Sequence, residues 1–345
     1  MIRLGVLFGG KSGEHEVSLM SASSILRAVD KTKYTPVMIG ITRGGEWKLY
    51  TGDIDDIEND KWEASAAPFK VDDLKSTIDF ALPILHGTYG EDGTVQGLFE
   101  MLDIPYAGCG VLASSAAMDK LVSKSLFLQE GLPTCRYEGV IMSQFNESGA
   151  AGIAERLGGY PVFVKPANMG SSVGVSKAEN EKELIEGIYE AGKFDRRLII
   201  EEGMNIREVE TAVIGNDEPV AAVVGEIIPS SEFYDYKAKY FDGGQSKLII
   251  PADLPEETSE KIREYALRAY KALDCAGFAR VDFFADKETG EIYINEINTI
   301  PGFTNFSMFS ALFGEAGIDY PHLIERIVDY GYERYNIKNS RKTNI

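Results

Sequence analysis

The sequence predicts an α/β protein built from three units, and three observations support that reading. A chain of 345 residues is too long for one ordinary core, and its 44% hydrophobic content is that of a folded globular protein. Strand-like and helix-like segments alternate through the first hundred residues, the pattern of a parallel sheet. Two polar/apolar alternating runs near the carboxyl end, Ala279–Phe284 and Tyr293–Asn298, flank the turn-forming Asp286-Lys287-Glu288-Thr289-Gly290 and read as a hairpin.

In chain order, Ile2–Phe8 is an apolar strand, Val17–Val29 a helix, Thr35–Thr42 a second strand and Phe80–Leu85 a third. The acidic run Asp53–Asp60 reads as a surface loop. A second unit begins near Tyr106-Ala107-Gly108, with a helix over Lys120–Glu130 and strands over Arg136–Met142 and Tyr160–Lys165. The third starts near Leu198–Glu202 and carries long strands, an amphipathic helix over Glu256–Leu273, the hairpin and a closing helix over Tyr320–Tyr335. The polar tail after Tyr335 is expected to fray.

Composition excludes several functions. A net charge of -19 leaves no basic surface for a nucleic-acid backbone, so any phosphate site has to be local. Cys109, Cys135 and Cys275 are far apart and lack metal-ligand spacing, which fits core thiols in a reducing compartment. No window approaches a membrane span, and the expected location is the cytoplasm.

Strand alternation places Arg280 with Asp282, and Glu296 with Asn298, on one face of the hairpin. Two carboxylates and a carboxamide there suit a hard divalent cation beside a permanent positive charge; the alternative is a solvated face with a surface ion pair. The loop Pro166–Gly174 follows a strand ending in Lys165, and its glycines and serines let backbone amides approach an anion. It lacks the Gly-Lys-Ser/Thr ending of a Walker loop. Lys120 is a second cationic candidate, and Glu201 and Glu208 flank a Gly203-Met204 break that could serve an adenine and a ribose. Gly9-Gly10 lacks the three-glycine spacing of a dinucleotide fingerprint; Glu14, just beyond it, is placed to meet a substrate ammonium or to favour a helix start. His86 follows a strand at the carboxyl edge of the first sheet, where ligands of such sheets bind.

These motifs together resemble the D-alanine–D-alanine ligases of the ATP-grasp superfamily. The resemblance rests on Gly9-Gly10 with Glu14–Ser18, His86-Gly87 with Gly90–Gly93, Met118-Asp119-Lys120, Lys165-Pro166 with Gly170–Gly174, Arg280-Val281-Asp282, and Asn295–Thr299 with Pro301-Gly302, in order over nearly the whole chain. It implies a three-domain ATP-grasp fold: a Rossmann-like substrate-binding domain over 1–108, a central domain over 109–200, and a carboxyl-terminal domain over 201–345 with a mobile loop at 231–246. It implies ATP-dependent joining of two D-alanines through a D-alanyl phosphate, for cell-wall precursor synthesis, by a protein that is usually a homodimer.

Carried over by position, Asp282, Glu296 and Asn298 would hold two Mg2+ or Mn2+ ions. Lys120, Lys165 and Lys239 would neutralise phosphate charge beneath the Ser171-Ser172 loop. Glu201, Glu202, Met204 and Glu208 would take the adenine and ribose. Glu14 would bind the ammonium of the first D-alanine with His86 nearby. Arg280 and the Gly302 amide would stabilise the tetrahedral oxyanion, and Ser307 would bind the second carboxylate. Phe233–Tyr240 resembles the tyrosine loop of the dipeptide ligases, in which Tyr240 would meet Ser171 and, through it, Glu14. That loop, with Tyr234, favours D-alanine over D-serine or D-lactate as second substrate, while Met308 departs from an expected leucine. Another ATP-grasp carboxylate–amine ligase is the alternative.

Overall fold

The computed structural model describes residues 1–228 and 246–341, and among these the strands form three sheets. In the first, β1 (Ile2–Gly9), β2 (Tyr34–Ile41), β3 (Trp47–Tyr50), β4 (Ala67–Pro68) and β5 (Phe80–Pro83) lie in the order β4-β3-β2-β1-β5. β2, β1 and β5 run parallel, as the alternation predicts, while β3 and β4 add an antiparallel edge. Leu4 to Gly9 are all buried, which is why β1 reads as a continuous apolar run: a central parallel strand is covered on both faces. The stretch expected to be an acidic surface loop instead holds a short helix, Ile54–Glu58. Its cap is the Asp53 carboxylate, which accepts from the Asp55 amide at 3.0 Å, and the acidic first turn suits the helix dipole.

The central sheet comprises β6 (Tyr137–Ile141), β7 (Val162–Pro166), β8 (Ser176–Ala178) and β9 (Arg197–Glu202), antiparallel in the order β6-β9-β7-β8. Helices Ala150–Arg156 and Glu181–Ala191 cover one face through Val162, Val164, Leu184, Ile188, Leu198 and Ile200. Here the structure departs from the sequence expectation. The run Leu198–Glu202, expected to open the third unit, pairs inside the central sheet, and a boundary at 200/201 would cut through β9. The alternation of Leu198 and Ile200 puts both into the core that Val162 and Val164 line.

The third sheet is antiparallel, with β10 (Ile206–Gly215), β11 (Val220–Ile228), β12 (Lys247–Ile249), β13 (Gly277–Asp286) and β14 (Ile292–Asn298) ordered β12-β11-β10-β13-β14. Helix Glu256–Ala272 packs on it, and so do Val111–Met118 and Lys120–Gln129, which the sequence reading assigns to the second unit. Ala113, Ala117 and Phe127 share a core with Tyr270, Phe283 and Ile294, so the helix carrying Lys120 is anchored to the hairpin sheet.

A further core joins this sheet to the first one. Phe278, Phe303 and Phe309 pack ring against ring, one pair stacked, one tilted and one edge-to-face, with centroid separations of 5.3 to 5.8 Å, in a cluster that includes Leu4, Phe8 and Phe80. Such ring pairs add about 0.5–1.5 kcal/mol each beyond area burial. Their consequence is positional: the loop over 299–307 is held near the carboxyl ends of β1 and β5. The closing helix, Tyr320–Asn339, runs past the expected fraying point at Tyr335 and is capped by Asp319, which accepts from the His322 amide at 3.0 Å. Among the described residues no helix is long and apolar enough to cross a membrane.

Candidate active site

All the described candidates named from the sequence line one cleft: Glu14, His86, Lys120, Lys165, Ser171, Ser172, Glu201, Glu202, Met204, Glu208, Arg280, Asp282, Glu296, Asn298, Gly302 and Ser307. Lys239, Tyr240 and the tyrosine segment around them lie outside the described residues.

At one end, Glu14 follows the β1 turn and is only 8% exposed. The Ser171 hydroxyl of the glycine-rich loop donates to its Oε1, so the contact from loop to carboxylate is made. Space for that carboxylate depends on two glycines. A Cβ on Gly170 would lie 2.9 Å from Glu14 Oε2, and one on Gly87 would fall within contact distance of both Glu14 Oε2 and Ser12 Oγ. Gly87 also has φ +75°, the left-handed region where side chains are strained. Ser171 and Ser172 themselves have φ +51° and +59°, and non-glycine residues in that region cluster at ligand clamps.

His86 is buried and both ring nitrogens are engaged. Nδ1 faces the Ile300 carbonyl at 2.8 Å, and a carbonyl only accepts, so Nδ1 carries the proton. Nε2 then accepts from Ser21 Oγ at 3.0 Å, and Ser21 Oγ in turn accepts from the Phe303 amide at 3.3 Å. Burial holds the ring below its ordinary pKa, opposed by the nearby Glu14 charge. His86 is therefore a strut that fixes the Ile300–Phe303 loop, Gly302 included. Beside it, Glu91 accepts from the Gly87 amide at 2.8 Å; burial, with Glu14 second, pushes its carboxyl up to about 8. Across the same loop, Ser307 Oγ accepts from the Thr304 amide at 3.0 Å and a Cβ on Gly302 would lie 3.3 Å from it.

The hairpin closes with Arg280 opposite Asn298 and Asp282 opposite Glu296, before a bulge between Asp282 and Phe283. On the other side Asp282 is in register with Glu210 of β10, so three acidic residues, Glu210, Asp282 and Glu296, form one row across three strands. Arg280 joins that row. Its Nε and Nη2 donate to Asp282 at 2.7 and 2.8 Å, and Nε is also 2.8 Å from Glu210. The guanidinium does not stand apart from the acidic row: two carboxylates grip it while it lines the cleft. Asn298 Nδ2 donates to Asp282 Oδ2 at 2.8 Å, and Lys120 Nζ approaches Glu296 at 3.3 Å while donating to the Met169 carbonyl at 2.8 Å.

Deeper in the cleft, Glu201 is 2% exposed and each of its oxygens meets a lysine: Lys165 at 2.5 Å and Lys124 at 2.9 Å. Burial alone would raise this carboxyl, but the two ammonium groups outweigh it and hold Glu201 well below the usual carboxylate range. Oε1 nonetheless makes no hydrogen bond among the described residues, so this cleft-lining carboxylate keeps acceptor capacity beside its two lysines. Glu202 is occupied by Arg136 Nε at 2.7 Å and the Arg136 amide at 2.6 Å. Met204 and Glu208 remain on the cleft wall.

Sequence reasoning missed Lys124, Glu210, Ser21 and the role of Glu91. Glu210 was accessible, since it follows Glu208 in the β alternation. Lys124 lies one helical turn after Lys120, yet nothing in the sequence distinguishes a buried lysine from a solvated one.

A mixed sheet with parallel β2, β1 and β5, followed by two antiparallel sheets, with lysines and acidic hairpin residues lining one cleft, defines an ATP-grasp ligase architecture. Family models described as the D-ala D-ala ligase N-terminus and C-terminus match residues 3–109 and 126–329. The chain is 50% identical over 364 aligned residues to the D-alanine–D-alanine ligase of Acetivibrio thermocellus, with 97% of this chain and 96% of the relative covered. It is similar in structure to the VanG D-Ala:D-Ser ligase of Enterococcus faecalis, at TM-score 0.86 and 38% identity over 96% of this chain and 99% of that one. The D-alanine–D-alanine ligase of Bacillus anthracis in complex with ATP matches at TM-score 0.76 and 30% identity, over 98% and 100% of the two chains. The chain belongs to the D-alanine–D-alanine ligase family.

Proposed function

We propose that this chain joins two D-alanines at the expense of ATP, releasing ADP and phosphate. A carboxylate is a poor electrophile, so the γ-phosphoryl group passes first to the carboxylate of one D-alanine. The amine of the second then attacks the acyl carbon of that D-alanyl phosphate, and the bond to phosphate breaks. The observation that carries this reading is a single cleft holding a buried, serine-held Glu14 at one end and the lysine-flanked row of hairpin carboxylates at the other.

Glu14 supplies the negative charge for the first ammonium, with Ser171 fixing its orientation. Arg280 and the Gly302 amide stabilise the oxyanion; losing one such donor typically costs about 10²- to 10³-fold in rate. His86 and Ser21 hold the Gly302 loop in place for that task, and Ser307 takes the second carboxylate. Lys120 and Lys165 bind phosphate oxygens, the Ser171-Ser172 loop closes over them, and Glu208 with the backbone near Glu202 and Met204 receives the nucleoside. Lys239 and Tyr240 are assigned phosphate neutralisation and loop closure by resemblance. The functional division proposed is a substrate unit over 1–108 and two nucleotide-gripping units beyond it.

Among the described residues no group of three or more His, Cys, Asp or Glu converges to hold a metal unaided. Two carboxylates with a carboxamide nonetheless fit Mg2+ or Mn2+, which take hard oxygens and leave positions for phosphate and water. Asp282, Glu296 and Asn298 would hold the ions, Asn298 through its amide oxygen after a half-turn of the side chain. When bound, they would neutralise charge on the β- and γ-phosphates.

A cytoplasmic homodimer is the proposed working form, with no nucleic-acid or membrane partner. The test is an ATP-dependent phosphate-release panel over D-alanine, D-serine, D-lactate and glycine, with the product identified. D-Alanyl-D-alanine as the dominant product supports the reading. Faster turnover with D-serine or D-lactate would reassign the second substrate, and no ATP-dependent release with any of them would overturn the ligase.

A further inference from the structure

Lys124 lies on helix Lys120–Gln129, is 1% exposed on its side chain and does not reach the cleft wall. Its ammonium sits 2.9 Å from Glu201 Oε1, with Cys135 Sγ at 3.5 Å and the Tyr137 ring centroid at 6.0 Å. The other Glu201 oxygen holds Lys165, whose side chain lines the cleft. A buried lysine is expensive to keep charged, so a role for it is worth seeking.

Charge arithmetic supplies one. Lys165 with Glu201 alone is a neutral pair and would attract a phosphate weakly. Adding Lys124 makes the buried triad +1, with Lys165 and Glu201 at the cleft wall and Lys124 behind them. Lys124 also divides the attention of Glu201, since each oxygen serves one ammonium.

We propose that Lys124 is a positioning residue that sets the charge and placement of Lys165 for nucleotide phosphate by sharing the buried Glu201 carboxylate. The inference rests on the reading of the cleft as an ATP site. It goes beyond that reading in assigning phosphate affinity to a side chain outside the cleft wall.

The experiment compares ADP, adenosine and D-alanine on the full chain. Wild-type protein that binds no ADP would sink the nucleotide reading itself. With ADP binding established, Lys124→Met, confirmed folded by its thermal melt, should weaken ADP and raise the KM for ATP about tenfold. It should leave competition by adenosine and the KM for D-alanine unchanged, a split that mere loosening of the fold would not produce. Lys124→Arg should retain most of the affinity. In Lys124→Met/Glu201→Gln the triad again carries +1 and no carboxylate opposes Lys165, so ADP affinity should recover toward wild type. Unchanged ADP affinity in the single variant, equal loss for adenosine, or a folded double variant that stays as weak as the single one would each overturn the proposal. If the single variant does not fold, the double variant decides: wild-type-like ADP affinity supports the charge argument, and weak affinity or failure to fold refutes it.

Discussion

Replacing Gly87 by alanine tests whether the Glu14 carboxylate is held where an amino-acid ammonium needs it. The added methyl would lie 3.4 Å from the Glu14 carboxyl carbon and well inside contact of Oε2 and Ser12 Oγ. To restore ordinary separation the carboxylate has to retreat by about 1 Å, since non-bonded atoms prefer roughly 3.5 Å. It has little freedom to do so, because Ser171 holds Oε1 and Gly170 lies so near Oε2 that a Cβ there would be 2.9 Å away. A φ of +75° adds backbone strain of about 1–2 kcal/mol for any residue with a Cβ. Misplacement of a binding group by 1 Å can cost about 10²-fold, so kcat/KM for D-alanine should fall by roughly that factor. Affinity for ADP should hold, and the melting temperature should drop by only a few degrees. Gly13→Ala is the control: a Cβ there meets nothing within 4 Å. Phosphate-release kinetics with D-alanine titrated at saturating ATP give the measurement. Equal kinetics for Gly87→Ala and wild type, or equal loss in Gly13→Ala, would refute the argument that this carboxylate is sterically fixed for the first substrate.

Other residues make further tests. Glu296→Ala should abolish ATP-dependent phosphate release while leaving the thermal melt near wild type, because Glu296 faces the cleft; undiminished turnover refutes the metal assignment. Glu210→Gln removes one of the two carboxylates that grip Arg280, and kcat should fall about tenfold with the KM for ATP unchanged, less than the 10²–10³ of losing the donor outright; an unaltered kcat would show that Asp282 alone positions the guanidinium. Glu91 has its folded pKa raised to about 8, so above the ordinary value near 4.3 the folded state keeps a proton that the unfolded chain gives up. Its contribution to stability therefore declines from about pH 4.3 to 8 and is level beyond. The melting temperature of Glu91→Gln relative to wild type should rise across that window, and a difference independent of pH would refute the shift.

Legibility differed between parts of the molecule for physical reasons. β1 was readable because a strand covered on both faces must be apolar throughout, and the hairpin because polar alternation and a turn sequence are local signals. Strand pairing is not local. Nothing in Leu198–Glu202 says that it lies between β6 and β7, and only contacts across long sequence separations put it there. The helix carrying Lys120 belongs to the hairpin sheet for the same reason: its apolar face could serve either core, and the packing of Phe127 beside Tyr270 and Phe283 decides the matter.

By itself the sequence determined the chemistry available: a pair of hairpin carboxylates with Asn298, lysines at the end of a strand and at a helix start, a glycine-rich loop, and Glu14 beyond a strand end. Those follow from residue type and spacing along one strand or turn. Only the tertiary structure decided which of these groups are committed to one another. Glu201 is closed between Lys124 and Lys165, Arg280 is clasped by Glu210 and Asp282, and His86 braces the Gly302 loop through Ser21 and Ile300. Electrostatic partnership depends on distance in space and on burial, and a charge removed from water takes whichever partner folding brings within reach.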